Sequence, residues 1–457
     1  MPTNKKLEEF FKKRPGMLKK YEYPGTFRDF ITDIRKSIVH KKNKQLMKKA
    51  IIEEVQRILP GEISLHSLES QLSRYPLIST ADHHALLNDK LLYNSNILYA
   101  EIIKELKLPY AVVLATGSIP MKSKSHPRGF FFKNQKFNFF GEKQCKLPVF
   151  LFQDKLSSER RKGIDSFCIS YDRDSLTPEE KKFLEFLFFD CLEIQKAREN
   201  YEKFSDQITF LNHKLWKYYF DRSIRGSVPD LIYLQSNQVL LNLLIDEIKR
   251  EDSLISLILF DPAVRRLFIK NFYGIPSCWG ENMGSQLFWG IIERKNKIRV
   301  TGLQLDDASN SLVGENFNIK LEREVIIDAL VTRKILSTLF LDFLITTFIE
   351  GSVALGGFNQ VDYLPQIQKV HIKTLKELEM MDAADQFASR ITDGLICGMF
   401  PFNFNSGIDL IWHYNSRDGR FNGNLDGGLT DGDLDKMLDM RVKDMIGSAI
   451  ETMWEIV

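Results

Sequence analysis

The sequence has few cysteines and no obvious export signal. Its 457 residues include five cysteines, at positions 145, 168, 191, 278 and 397, with no Cys-x-x-Cys pair. This number and spacing exclude a disulfide scaffold and a paired-cysteine zinc module. The first 20 residues contain lysines and glutamates where a signal peptide would have an apolar core. We therefore expect a protein of the reducing cytoplasm.

Long apolar runs are also missing. The strongest membrane candidate, residues 335–349, is about 15 residues long, follows Arg333 and Lys334, and contains Asp342. A membrane-spanning helix needs roughly 20 predominantly apolar residues. This segment therefore predicts a buried helix, and we expect no transmembrane segment.

Glycine-rich and nucleophile motifs are absent as well. No Gly-x-Gly-x-x-Gly follows a predicted strand, and Met121 occupies the position before Lys122 where a phosphate-binding loop needs glycine. No Gly-x-Ser-x-Gly occurs, and no pattern pairs Cys278 or Cys397 with a histidine. No nucleotide cofactor is predicted, and nucleophilic catalysis has little support.

Positive charge is concentrated at the front of the chain. Residues 1–60 contain 16 Lys and Arg against 7 Asp and Glu, a surplus of nine. Since the whole chain carries +3, the remainder carries −6. Apolar residues recur in this region at helical spacing, which favours amphipathic helices with solvated basic faces. The sequence has no nucleic-acid-binding signature, so nucleic acid is not an expected partner.

The order of helical and strand patterns predicts an α+β fold. Helical periodicity extends to about residue 107, clustered and mostly antiparallel strands are expected at about 110–170 and 285–320, and helices fill most of the rest. A hairpin is predicted around Lys295–Lys297, and a long helix from about 322 to 350. We expect a basic helical region, 1–107, and an α+β main unit, 108–457, alternatively one continuous domain.

The first candidate site is the polar run from Ser79 to His84. Asp82, His83 and His84 offer a carboxylate and two imidazoles, which suit Zn²⁺, Fe²⁺ or Mn²⁺. Adjacent residues rarely point to one place, so all three could meet one ion only in an irregular turn. The favoured alternative has one histidine as ligand or acid/base, with Asp82 orienting it or capping the next helix.

Two further polar segments follow predicted buried elements. The first, Thr116 to Gly129, is favoured as an ordinary solvated loop that joins two strands. In the alternative, Ser118 and Arg128 are candidates to bind a substrate hydroxyl and anion. In the second, Gly356 to Tyr363, paired glycines permit close approach of a ligand to which Gln360 and Tyr363 could hydrogen-bond. Asn94, in the helix after His84, is a further substrate-binding candidate. We expect these segments to converge.

Together these patterns predict an enzyme that hydrolyses, or transfers a group to or from, a small anionic metabolite. His83 or His84 would act as general base or metal ligand, Asp82 would fix its tautomer, and Arg128 would hold the anion. A non-haem Fe²⁺ oxygenase is the second enzyme hypothesis. The third is a non-enzymatic interaction protein whose basic N-terminus contacts an anionic partner. The sequence does not indicate an oligomeric state.

Overall fold

A computed structural model describes residues 4–38, 45–87, 89–119, 130–133, 135–137, 148–149, 176–187, 191–275, 287–294 and 297–454. The strands in these ranges are β1 (Leu77–Ser79), β2 (Tyr110–Ala115), β3 (Phe130–Phe132), β4 (Gln135–Phe137), β5 (Asp230–Gln235), β6 (Phe288–Arg294), β7 (Lys297–Gly302), β8 (Gln304–Asp306), β9 (Ser311–Gly314), β10 (Phe317–Lys320), β11 (Ile335–Ser337), β12 (Val353–Leu355), β13 (Ser416–Arg417) and β14 (Arg420–Phe421).

The α-helices of the N-terminal half are α1 (Asn4–Lys12), α2 (Pro15–Tyr21), α3 (Phe27–Ile38), α4 (Gln45–Ile58), α5 (Leu65–Arg74), α6 (Lys90–Glu105), α7 (Pro178–Glu185), α8 (Leu192–Asn200) and α9 (Phe204–Leu215). Those of the C-terminal half are α10 (Ser236–Lys249), α11 (Leu254–Phe260), α12 (Pro262–Phe272), α13 (Arg323–Val331), α14 (Leu339–Phe343), α15 (Gln360–Glu377), α16 (Met381–Ala388), α17 (Gly407–Asn415), α18 (Asp431–Leu438) and α19 (Val442–Trp454). A 3₁₀-helix covers Trp216–Tyr219, and a π-helix covers Leu344–Ile349.

The largest described sheet is parallel, with strand order β12-β1-β2-β5. Its strands are almost entirely buried and read as continuous apolar runs, as parallel strands covered on both faces do. The chain moves from β1 to β2 to β5 in one direction and then returns to place β12 on the other side of β1. The order therefore reverses between β1 and β12.

The predicted mixture of helices and strands is confirmed, but the predicted strand arrangement holds only in part. The smaller sheets are antiparallel, and the hairpin around Lys295–Lys297 is confirmed by the pairing of Arg294 with Lys297. The largest sheet is parallel instead. Its two strands β1 and β12 have three residues each, too short to show a periodicity, and β5 lies in a region where the sequence predicts helices.

Helix boundaries agree with the sequence where a local capping signal exists. Thr177, followed by Pro178 and Glu180, forms a complete capping box at the start of α7. The predicted helix over 322–350 is wrong in extent: after α13 the chain forms β11, then α14 and the π-helix. Among the described residues, no helix is both long and apolar enough to cross a membrane.

The basic N-terminal helices bury their apolar faces in the same core as the rest of the chain. Phe10, Met17, Phe27 and Ile31 are all less than 10% exposed and belong to one cluster with residues of the central sheet. Strand β1 also pairs with β12 from the far end of the chain. The described part of residues 1–107 thus shares one core with the rest of the chain.

Candidate active site

A cavity of about 470 Å³ lies at the carboxyl end of the parallel sheet. It is lined by residues that follow three of the strands: Thr80 and Ala81 after β1, Thr116 after β2, and 357–360 after β12. Lys13 and Arg14, at the corner between α1 and α2, form part of another wall. The volume lies in the range of small-molecule sites.

The position of this cavity in the fold is itself informative. In open sheets of parallel strands, ligands bind in the crevice outside the carboxyl ends where the strand order reverses. Here the reversal falls between β1 and β12, and residues of the loops that follow both strands line the cavity. The cavity therefore occupies the position at which sheets of this kind bind their ligands.

Residues 82–84 continue the sheet beside β2. The Thr116 amide donates to the Asp82 carbonyl at 2.9 Å, and the His84 amide donates to the Thr116 carbonyl at 2.8 Å. His83 and Thr116 form a parallel bridge. In such an extended segment, successive side chains point to opposite sides. His83 accordingly lines the cavity, while Asp82 and His84 are completely buried behind it.

Asp82 lies in a polar cluster beneath the cavity. Its carboxylate accepts hydrogen bonds from the Asn96 side chain at 2.6 Å and from the Ser95 hydroxyl at 3.3 Å. Burial raises the pKa of Asp82 to about 7, and the hydrogen bonds from Asn96, Ser95 and Tyr233 oppose that shift. Its partners are these side chains rather than an imidazole. It does not cap the following helix either, because Asp89 caps α6.

His84 lies in the same buried region. Its Nε2 is 3.2 Å from the Thr209 hydroxyl, and its ring lies 5.7 Å from that of Tyr233. The Tyr233 hydroxyl in turn donates to the His83 carbonyl at 2.9 Å. The cluster therefore holds the 82–84 segment from behind, through contacts to α6, α9 and β5.

The three side chains of the Asp-His-His run do not meet at one point, because His83 lies on the opposite side of the segment from Asp82 and His84. Within the described ranges, no group of three or more His, Cys, Asp or Glu side chains is placed to hold a metal ion. The predicted divalent metal stays a prediction, and the function proposed below does not use it.

Two of the other predicted residues are buried outside the cavity wall. The Ser118 hydroxyl lies 3.1 Å from the hydroxyl of Thr116. Thr116 lines the cavity, but Ser118 does not. The Asn94 amide donates to the carbonyls of Lys90 and Phe402, and its oxygen accepts from the Phe402 amide. Asn94 thus links α6 to the chain around residue 402. Arg128 lies outside the described residues.

Gln360 and Tyr363 both line the cavity. The Gln360 oxygen accepts a hydrogen bond from the Thr80 hydroxyl at 3.0 Å, and its amide nitrogen donates to the Ala354 carbonyl at 3.3 Å. This places one side chain across the β1–β12 crevice. Gly356 accommodates it, because a Cβ at position 356 would lie 1.8 Å from the Gln360 oxygen.

Lys13, Arg14 and Cys397 line the cavity but are not among the site residues that the sequence predicts. Lys13 and Arg14 belong to the basic region of residues 1–60, which the sequence predicts to form helices with solvated basic faces. The signal that could have identified them is the Arg14-Pro15-Gly16 sequence, since proline and glycine here force a corner between two helices. Cys397 is buried, which raises the pKa of its thiol and keeps it protonated at neutral pH.

The chain matches no family model, and no curated protein or solved structure is significantly similar to it.

Proposed function

We propose that this chain is an enzyme that hydrolyses, or transfers a group to or from, a small anionic metabolite bound in the cavity at the end of the parallel sheet. The observation that carries the proposal is the lining of that cavity. An imidazole, His83, lies with the hydroxyls of Thr80 and Thr116 at a strand-order reversal, and Lys13 and Arg14 make part of the wall cationic.

His83 is the residue we assign to proton transfer. Imidazole is the side chain most often used as a general acid or base. In this scheme, His83 takes a proton from water or from an acceptor hydroxyl as that oxygen attacks the substrate. The imidazolium then returns the proton to the leaving group. Thr80, Thr116 and Gln360 provide hydrogen bonds that orient the substrate.

Asp82 and His84 are positioning residues in this proposal. Their side chains lie behind the segment that carries His83, and Tyr233 connects them to its backbone. A site of this kind depends on rigid support behind the residue that touches the substrate. The iron oxygenase alternative needs two imidazoles and a carboxylate around one ion, and the alternation of side chains at 82–84 does not favour that arrangement.

In the interaction-protein alternative, the basic first 60 residues contact an anionic partner and the polar loops are structural. Residues 4–38 instead bury several of their apolar side chains in the common core, and Lys13 and Arg14 line the cavity. These contacts favour the enzyme. Removing residues 1–21 should therefore reduce ligand binding and stability, whereas the alternative expects only a loss of salt-sensitive partner binding.

The test is a turnover screen of the purified chain with phosphate monoesters, carboxylic esters and amides. Once a substrate class is found, His83→Asn should lower kcat by about a hundredfold or more, because it removes proton transfer. His66→Asn, at an exposed histidine on α5, is the matched control and should retain full activity. Full activity in a folded His83→Asn variant would refute the assignment of His83, and no turnover in any class would count against the enzyme.

A further inference from the structure

The side chain of Arg14 is held in place by three contacts at the edge of the cavity. Its Nε donates to the Asn359 side-chain oxygen at 3.0 Å. The guanidinium carbon lies 4.4 Å from the centre of the Phe10 ring and 5.4 Å from that of Phe358. Stacking on aromatic rings and a bond to Nε leave an arginine few rotamers, so the group is preorganised.

The two terminal nitrogens of Arg14, unlike its Nε, are not engaged by a protein acceptor in the described ranges. Within the part of the chain that the structure describes, neither Nη donates a hydrogen bond, and the Asp362 carboxylate, which attracts the guanidinium electrostatically, lies beyond ion-pair distance. Asp362, the acidic residue of the same wall, accepts a hydrogen bond from the Gly16 amide at 2.6 Å. The guanidinium thus lines the cavity, and the N–H groups of its two terminal nitrogens make no hydrogen bond to the described residues.

The corner that carries Arg14 is fixed to the opposite wall. The Gly16–Asp362 hydrogen bond ties the start of α2 to the first turn of α15, and a Cβ on Gly16 would lie 2.5 Å from the Val361 carbonyl oxygen. Only a glycine allows this approach without displacement. The distance between Arg14 and the residues that follow β12 is therefore set by backbone contacts.

From this geometry we propose that Arg14 is the anion-binding residue of the cavity and that it binds a carboxylate or phosphate group of the ligand in bidentate fashion, assisted by Lys13. A planar guanidinium matches both oxyanions through two parallel N–H bonds. The inference rests on the proposed function for the identity of the cavity as the substrate site. This inference further specifies the orientation of the substrate. Its anionic group binds at the α1–α2 corner, and its reacting group lies toward His83.

The experiment measures equilibrium binding of two probes, inorganic phosphate and succinate, to the full chain by isothermal titration calorimetry. We expect saturable binding of at least one probe, and the stronger probe identifies the oxyanion. Arg14→Gln should weaken it about tenfold or more, and Arg14→Lys should weaken it nearly as much, because lysine keeps the charge but not the fork. Arg35→Gln removes the same charge from an exposed position on α3 and should leave binding unchanged.

The outcomes separate this inference from the proposed function. Equal affinities in the wild type and in Arg14→Gln, an equal loss in Arg35→Gln, or no saturable binding of either probe to the wild type would each overturn the inference. Anion binding that depends on Arg14, together with turnover that does not depend on His83, would leave the inference standing and refute the assignment of His83.

Discussion

The hydroxyl of Tyr233 on β5 donates a hydrogen bond to the backbone carbonyl of His83, 150 residues away in sequence, at 2.9 Å. The same hydroxyl lies near enough to the Asp82 carboxylate to lower its pKa. One buried side chain thus contacts both the segment that carries the proposed acid/base residue and the carboxylate behind it. We expect this contact to help fix the position of the His83 backbone.

Replacing Tyr233 with Phe should reduce both stability and activity. The variant leaves a buried carbonyl without its donor, which costs roughly 1–3 kcal/mol. It should also lower kcat, because residues 82–84 lose support. Tyr201→Phe is the matched control, since its hydroxyl donates to the Ile58 carbonyl at 2.7 Å, away from the cavity wall. Urea unfolding and turnover should show a stability loss in both variants and a kcat loss only in Tyr233→Phe.

Asp82 should make the folded state less stable as the pH rises. Burial raises its pKa from 3.8 to about 7, so between these values the folded state holds a proton that the unfolded state has released. Stability from this group therefore falls as the pH increases from about 4 and levels off above about 7. The advantage of Asp82→Asn over the wild type should grow by about 2–3 kcal/mol between pH 5 and pH 8.

The control for this prediction is a second buried carboxyl. Asp342 accepts a hydrogen bond from Ser337 at 2.6 Å, and burial raises its pKa to about 7 as well. Asp342→Asn should show the same pH-dependent gain in denaturant unfolding without changing turnover, because Asp342 does not line the cavity. A constant stability difference between Asp82→Asn and the wild type across this pH range would contradict the prediction.

Parts of this fold follow from local sequence, and the rest depends on distant contacts. The capping box at Thr177 and the hairpin that pairs Arg294 with Lys297 are encoded within a few residues, so the sequence predicts them. Strand β1 forms because Leu77 pairs with Val353, and three apolar residues alone carry no such signal. The direction of the largest sheet could therefore not be predicted.

The candidate site, like the fold, could be predicted only in part from the sequence. The polar segments after buried runs at residues 79–84, 116–119 and 356–363 do surround one cavity in the structure. Which of the adjacent histidines faces that cavity depends on the pairing of residue 83 with Thr116, which spacing does not reveal. The role proposed for Arg14 could not be predicted from the sequence, because its partner Asn359 lies 345 residues away along the chain.

His371 should make the protein sensitive to acid. Five phenylalanine rings surround this buried imidazole, and burial lowers its pKa from 6.5 to about 3. Between these values only the unfolded state binds the proton, so stability is lost as the pH falls from 6.5 toward 3. His371→Leu should gain about 2–3 kcal/mol relative to the wild type on going from pH 7.5 to pH 4.5.

An exposed histidine provides the comparison for this measurement. His66 is exposed on the surface of α5. Its replacement by Leu should show no such gain in the free energy of unfolding, measured by chemical denaturation at the two pH values. If His371→Leu and the wild type lose stability in parallel on acidification, another group is responsible for the acid sensitivity.

Gly16→Ala should separate the α1–α2 corner from α15 and so weaken anion binding without removing any charge. The new Cβ would lie 2.5 Å from the Val361 carbonyl oxygen, so the backbone must move and the Gly16–Asp362 hydrogen bond must lengthen. We expect a loss of about 1–3 kcal/mol in unfolding free energy and weaker phosphate or succinate binding. Gly226→Ala, where no atom lies within 4 Å of the new Cβ, should change neither. Wild-type anion affinity in a destabilised Gly16→Ala variant would mean that Arg14 reaches the ligand without this corner.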